Sequence, residues 1–322
     1  MLVTGAGGFI GAHLAAQLVS SGAQVRGLVR YNSRNERGAL AWLDPDVGSE
    51  IEVVSGELRD VESVARAVQG VEVVFHLGAQ IAIPYSYVNP RDFLEVNALG
   101  SLNVAQAALS AEVQRVVHAS TSEVYGSART VPITEDHPLE PQSPYAASKV
   151  AADKLMDAYY RSFELPVTIV RPFNTYGPFQ SARAIIPAIV SQALAGGPVR
   201  LGSLHPRRDL TFVEDTAAGF IAAARASGVV GRTIQLGTGE DVSVGDLVEL
   251  VEELCGTRLV VEQEAERVRP EKSEVDRLVS SPALARELTG WQPTVALRTG
   301  LARTIEWIER NLDRYRVDQY VI

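Results

Sequence analysis

Cysteine occurs once in the 322 residues, at Cys255, so no disulfide can close within the chain. That cysteine follows the helical periodicity of residues 247–254 and is expected in the core. Histidine is scarce too: His13, His76, His118, His137 and His205 show no ligand spacing, which leaves no case for a metal site. No apolar run approaches the ~20 residues of a membrane helix, and no charged-then-apolar segment opens the chain. The expectation is a cytoplasmic protein with no membrane partner. Basic residues are in deficit, at a formal net charge of −9, which argues against nucleic acid as a partner. A local basic pocket for a diphosphate remains compatible with that balance. Internal repeats and low-complexity tracts are lacking as well.

What is present is ordinary globular composition, 46% hydrophobic and 21% charged, in a chain long enough for one large unit or two modest ones. Met1-Leu2-Val3-Thr4 reads as a strand feeding Gly5-Ala6-Gly7-Gly8-Phe9-Ile10-Gly11, and an Ala/Leu-rich helix follows to Ser20. Strand, glycine loop and helix in that order is the setting a dinucleotide fingerprint requires. Gly5, Gly8 and Gly11 permit a tight turn and close approach to a pyrophosphate, whose charge meets the helix N-terminus. Further strands are expected at Gln24–Val29, Ile51–Ser55, Val71–Leu77, Val113–Ala119 and Val167–Arg171. The alternation predicts an α/β fold, a right-handed doubly wound parallel sheet of Rossmann type. Residues 1–172 are assigned to it, with the sheet completed by about 210–240, through Asp215–Ala226 and Thr233–Leu236. Residues 173–209 and 241–322 are assigned to a smaller C-terminal substrate-binding region. There Val242–Leu259 reads as a helix and short strand, Glu262–Arg277 as a charged loop, and Val295–Asn311 as an amphipathic helix. The tail Arg314–Ile322 carries no readable pattern. The helices Asn89–Leu109 and Pro144–Phe163 are long and partly apolar, which suits a two-fold homodimer interface.

The end of the second strand should choose between the nicotinamide cofactors. An NAD enzyme often has an acid there for the ribose hydroxyl, whereas Val29 leads into Arg30-Tyr31-Asn32-Ser33-Arg34. Arg30 or Arg34 can pair with a ribose phosphate, so NAD(P)+ is expected with a tilt toward NADP; a solvated Arg34 is the alternative. Glu57 and Leu58 are expected to border the adenine, and Leu77-Gly78-Ala79 to let backbone approach the cofactor. His76 reads as structural, and Asn97 as a bridge between helix and strand backbone.

The chemistry concentrates in His118–Lys149. One strand ends in Ser120-Thr121-Ser122-Glu123, three hydroxyls and a carboxylate. Then comes Ser143-Pro144-Tyr145-Ala146-Ala147-Ser148-Lys149, where Ser143 suits a cap and Pro144 the first helical position. Tyr145 and Lys149 at i and i+4 share a helix face, so the cation is expected to lower the phenol pKa. A phenolate beside a hydroxyl can take the proton of an alcohol while hydride leaves its carbon.

These stretches, together with Arg171-Pro172-x-Asn174-x-Tyr176-Gly177-Pro178, resemble the extended short-chain dehydrogenase/reductases acting on nucleotide sugars. Within that family, Ile81-Ala82-Ile83-Pro84-Tyr85-Ser86-Tyr87, Leu204-His205-Pro206-x-Arg208-Asp209 and Arg269-Pro270-Glu271-Lys272-Ser273-Glu274-Val275 resemble the NAD-dependent 4,6-dehydratases of the legionaminic-acid type. The resemblance implies a nucleotide-activated hexose, with N-acetylglucosamine-type sugars within its substrate class, and a tightly bound NAD(P)+ that is regenerated in each turnover. It implies Tyr145 as base for the C4 hydroxyl with Thr121 beside it, Lys149 on the nicotinamide ribose, and Glu123 as base at C5. Ser122 stands where many glucose-type dehydratases have an acid, so either Glu123 shuttles both protons or a water assists. Phe9, Ile10 and Pro172 fall to the cofactor, and Ser86, Asn174, Arg208 and Arg269 to the substrate. For Arg208 the alternative is a salt bridge to Asp209 or Asp215, and for Asn174 a loop-stabilising amide. A 4-epimerase and a UDP-glucuronate decarboxylase are the rival activities, and a cofactor-sensing binding protein is the rival class.

Overall fold

The computed structural model describes residues 1–268, 270–315 and 317. Seven strands form the central sheet in the order Thr233–Leu236, Val167–Pro172, Arg115–Ala119, Val73–His76, Leu2–Thr4, Val25–Arg30, Ile51–Gly56. Every neighbouring pair is parallel. Near-continuous apolar runs such as Leu2-Val3, Val74-Phe75 and Val116-Val117 are buried because helices cover both faces. Successive residues point to opposite sides. Val3, Phe75, Val117 and Val170 meet Leu14, Leu18, Ala217 and Phe220 on one face. Leu2, Val74, Val116 and Ile169 meet Val64, Val68, Val104 and Met156 on the other. The chain starts in mid-sheet, fills one side, and crosses back to place Val73–His76 beside Leu2–Thr4. Strand order reverses between those two, and ligands of doubly wound sheets bind beyond the C-terminal ends at such a switch point.

Two elements set the site. The helix Pro144–Phe163 begins as its sequence demands: Ser143 accepts from the Ala146 N–H at 3.1 Å, Pro144 opens the first turn, and Glu164 closes it in the left-handed region at φ 58°. The segment expected as one helix, Asn89–Leu109, is instead Pro90–Phe93, a π-helical turn Leu94–Leu99, and Gly100–Ser110. The widened turn carries Asn97, whose amide is held on three sides.

A second apolar cluster joins the helices Ile185–Ala195, Val244–Cys255 and Leu297–Arg310 through Ile189, Val190, Leu247, Val251, Leu301 and Ile308. The expected charged loop Glu262–Arg277 is not wholly loop. Val261–Gln263 pairs with Val199–Leu201, and Arg277–Leu278 with Arg207–Arg208. Val275 and Leu278 anchor it in the interior, which the surrounding charges hide in the sequence. Cys255 is half-buried at a helix end rather than in the core.

Candidate active site

The glycine loop is packed as tightly as its spacing implies. Gly5 has φ +70°, and a Cβ there would stand 2.8 Å from the Gly78 backbone; one on Gly11 would stand 2.2 Å from the Gly5 carbonyl oxygen. Thr4 ties this loop to the neighbouring strand end, its Oγ1 accepting from Gly78 N–H at 3.0 Å and meeting His76 Nδ1 at 2.8 Å. His76 continues to Ser101 Oγ at 3.0 Å, a structural role. The helix Phe9–Ser20 starts at Gly8 with no side-chain cap and no acid in its first turn. The amides of that turn, through Phe9, Ile10 and Gly11, are therefore left to an anion. This cradle fits a dinucleotide pyrophosphate. Leu58 is buried beneath it, its carbonyl held by Asn103 at 2.8 Å. Leu77, Ala79 and Pro172 are partly exposed at strand ends. Arg30 lies on the surface 3.9 Å from Glu57, which also pairs with Arg59 at 3.2 Å. An acid therefore stands beside Arg30 after all, supplied by the next strand. Arg34 is exposed and 3.7 Å from Glu36.

On the other bank of the switch point, the strand Arg115–Ala119 ends in a short 3₁₀ turn, Ser122–Tyr125, capped by Thr121. Thr121 Oγ1 accepts from Glu123 N–H at 3.2 Å, which leaves its own proton for an oxygen in the cleft. Thr121 and Ser122 are buried, and Glu123 is partly exposed. Tyr145 is buried against Ile83 and the edge of Phe93, whose ring centroid lies 6.2 Å away. Lys149 is buried and donates from Nζ to the Ala119 carbonyl at 2.7 Å. Asn97 fastens this helix to the sheet: its Oδ1 accepts from Gln80 N–H at 2.7 Å, and its Nδ2 reaches Gln80 O and Ser148 Oγ, each at 2.9 Å.

The electrostatics correct one expectation. Burial pushes the Tyr145 phenol well above its ordinary value; the Thr121 hydroxyl hydrogen-bonded to it pulls it down, and the carboxylates of Glu123 and Asp153 push it up again. Lys149 does not offset this, because burial lets it lose its proton at a lower pH than the phenol does. Burial brings Lys149 down to about 8, against the opposing pull of Asp153. The Glu123 charge is among the causes that raise the Tyr145 phenol, so that carboxylate lies within electrostatic reach of it.

On the substrate side, the Asn174 side-chain oxygen is buried and has no hydrogen-bond partner among the described residues, an acceptor left for a ligand. Arg208 pairs with neither Asp209 nor Asp215. Its partners include Glu274 at 3.5 Å and the Arg207 carbonyl at 3.0 Å. Asp209 accepts from Thr238, Gly239 and Ser280, and Asp215 from Thr294 and Val295. Ser86 is fully buried, and its hydroxyl donates to Ile83 O at 2.6 Å inside its own helical turn. Arg269 lies outside the described residues. Among the described residues, no group of His, Cys, Asp and Glu has the arrangement of a metal site.

The sequence reading missed Asp153 and gave Ser120 and Arg171 no role of their own; the three form a buried cluster behind Lys149. The continued four-residue spacing Tyr145, Lys149, Asp153 was the available signal. A cavity of about 370 Å³ reaches Asp153 and Arg171 from beside Glu135, Lys154 and Arg232, but Thr121, Glu123 and Tyr145 do not line it. Chemistry, not volume, marks the cleft.

A family model described as GDP-mannose 4,6 dehydratase matches residues 2–304. A UDP-glucose 4-epimerase of Mycolicibacterium smegmatis is 34% identical over 95% of this chain and 97% of its own. A dTDP-glucose 4,6-dehydratase of an Actinoplanes species is 32% identical over 97% and 98%. A dTDP-glucose 4,6-dehydratase from Streptomyces venezuelae, solved with NAD and TYD bound, superposes with a TM-score of 0.89 at 32% identity, covering 98% of each chain.

Proposed function

From the premise that the chain belongs to the GDP-mannose 4,6-dehydratase family, we propose that it removes water from a nucleotide-activated hexose to give a 4-keto-6-deoxy sugar nucleotide. The observation that carries this reading is Glu123, a carboxylate close enough to the Tyr145 phenol to shift its titration. A base at C5 is what elimination requires and what a C4 epimerisation has no use for.

In this reading Gly5, Gly8 and Gly11, with the amides of Phe9 and Ile10, hold the pyrophosphate of the cofactor. Glu57 and Leu58 border its adenine, and Leu77, Ala79 and Pro172 its nicotinamide end. When bound, NAD would supply the hydride acceptor for C4 and the hydride donor for C6. Tyr145 as its phenolate, an ionisation favoured by the Thr121 hydroxyl bonded to it, takes the C4 hydroxyl proton, and Lys149 holds the nicotinamide ribose. The ketone acidifies C5, and Glu123 removes that proton. Ser122 is no acid near neutrality, so Glu123 passes its proton to the departing C6 hydroxyl. Two protons leave the sugar and two are returned, one to water and one to C5, with no net oxidation. Arg208 and Arg269 grip the nucleotide diphosphate, Asn174 turns its free acceptor to a hydroxyl or N–H of the substrate, and the hexose, for which an N-acetylglucosamine-type sugar is the proposed class, lies beyond the fully buried Ser86. That choice follows the legionaminic-acid-type motifs.

The superposed dehydratase was solved with NAD, and Glu57 beside Arg30 opposes a ribose phosphate, so NAD is the proposed cofactor. The arginine-based tilt toward NADP makes a test. Glu57→Gln should raise use of NADP relative to NAD, and an unchanged ratio contradicts this role for Glu57. Exposed Leu94, Leu99 and Phe163 on the two long helical stretches support a homodimer. No described helix is long and apolar enough to cross a membrane, and the half-buried free Cys255 suits the cytoplasm, where we place the enzyme.

The second reading is a 4-epimerase, favoured by the 34% identical relative and by the missing acid at Ser122. Incubation with UDP-N-acetylglucosamine and with dTDP- and GDP-hexoses separates the two by mass. Dehydration yields a product lighter by one water; an epimer of unchanged mass contradicts it, and loss of carbon dioxide from UDP-glucuronate indicates decarboxylation.

A further inference from the structure

A cluster of buried charge lies under the catalytic helix, and none of the steps above uses it. Tyr145, Lys149 and Asp153 follow at four-residue intervals on Pro144–Phe163, so their side chains form one row. Asp153 is 2% exposed. Its Oδ2 accepts from Ser120 Oγ at 2.8 Å and from Arg171 Nη2 and Nε at 3.0 and 3.3 Å. Its Oδ1 faces His118 Nε2 at 3.4 Å. Arg171 is fixed in turn: it donates to the Tyr125 hydroxyl at 3.0 Å, its guanidinium lies 5.0 Å above that ring, and Gln235 donates to the same hydroxyl at 2.7 Å. The carboxylate is hydrogen-bonded to the buried Arg171 and sits one helical turn from the buried Lys149 on the same row.

An ammonium held away from water sheds its proton unless an anion is near. Lys149 has a carbonyl as its hydrogen-bond partner, which carries only a partial charge. We propose that Asp153 is a positioning residue for the reaction, the counter-charge that keeps Lys149 an ammonium, locked in place by Ser120 and Arg171. The proposal rests on the dehydratase reading only in taking Lys149 as part of the reacting site.

The groups facing this row come from every neighbouring element. His118 faces it from one strand, with His76 behind, their ring centroids 5.3 Å apart. Both imidazoles are driven down by burial, His118 to about 4, so both are neutral near pH 7. Arg171 comes from the next strand, Tyr125 and Glu123 from the 3₁₀ turn, and Tyr145 from the same helix. Glu135 is one step removed, accepting from Gln235 N–H at 3.0 Å. Of these, Asp153 is the anion that holds Lys149 up, and burial works against it. Burial pushes Asp153 up too, but the facing His118 imidazole, Arg171 and Lys149 together bring it below the ordinary carboxylate range.

The chain contains three lysines, Lys149, Lys154 and Lys272, so labelled lysine gives three side-chain NMR signals, assigned with Lys154→Arg and Lys272→Arg. The Lys149 signal should titrate near 8 in the wild type and about one pH unit lower in Asp153→Asn. Asp153→Glu should restore the wild-type midpoint. The alkaline limb of turnover should move down with the NMR midpoint. A purely structural Asp153 would lower kcat and Tm and leave both midpoints in place, and that result overturns the proposal. Should Asp153→Asn fail to fold with Arg171 unpaired, Asp153→Asn/Arg171→Gln removes both charges and is read the same way. Lys149→Met separates the two ideas: full activity in that variant would defeat Lys149's place in the reaction, while the titration still decides whether Asp153 supplies its counter-charge.

Discussion

Glu123→Gln removes one negative charge and keeps the backbone amide of residue 123. The turn Ser122–Tyr125 stays capped, because Thr121 accepts from the residue 123 amide at 3.2 Å whatever side chain follows. A positioned general base contributes roughly 10²–10⁴-fold. Elimination in the variant should therefore slow by about 10³-fold, or ~4 kcal/mol. Oxidation at C4 should respond differently. Burial is the largest cause of the raised Tyr145 phenol, but the Glu123 charge adds to it. Glutamine removes that charge, so the Tyr145 pKa falls and the acid limb of oxidation moves to lower pH. Rapid mixing with the proposed substrate, read by the near-ultraviolet absorbance of reduced cofactor and by product mass, follows both steps. Dehydration within about tenfold of the wild type, or oxidation lost in step with elimination, would refute the reasoning.

Two further changes test the walls of the cleft. In Gly11→Ala the new Cβ would stand 2.2 Å from the Gly5 carbonyl oxygen, where only backbone can give way. NAD affinity by calorimetry should drop by at least about tenfold, and unchanged affinity contradicts the cradle. Asn174→Ala deletes the unpartnered buried acceptor. KM for the nucleotide sugar should rise about tenfold with kcat little altered; steady-state kinetics with KM unchanged remove Asn174 from the substrate site.

Local interactions were legible in the sequence. Ser143 and Pro144 announce the start of the catalytic helix within four residues, and the glycine loop declares its packing through spacing alone. Asn97 was readable as a bridge because its helix places it against a strand end. Features requiring distant segments were not legible. Glu57 reaches Arg30 from the next strand, and Glu274 reaches Arg208 across the C-terminal region. The segment around Val275 and Leu278 enters small sheets only because strand partners far along the chain receive it. The direction of the Tyr145 shift failed for a related reason. Sequence spacing reports the nearby cation but not the burial that outweighs it.

The most direct measurement is turnover in deuterium oxide with a nucleotide hexose, reading the product by mass and NMR. Abstraction by Glu123 and return from solvent-exchanged groups predict one deuterium at C5 of a 4-keto-6-deoxy sugar. A converted sugar that retains its original hydrogen at C5 and its C6 hydroxyl would contradict the assignment of Glu123 as the base.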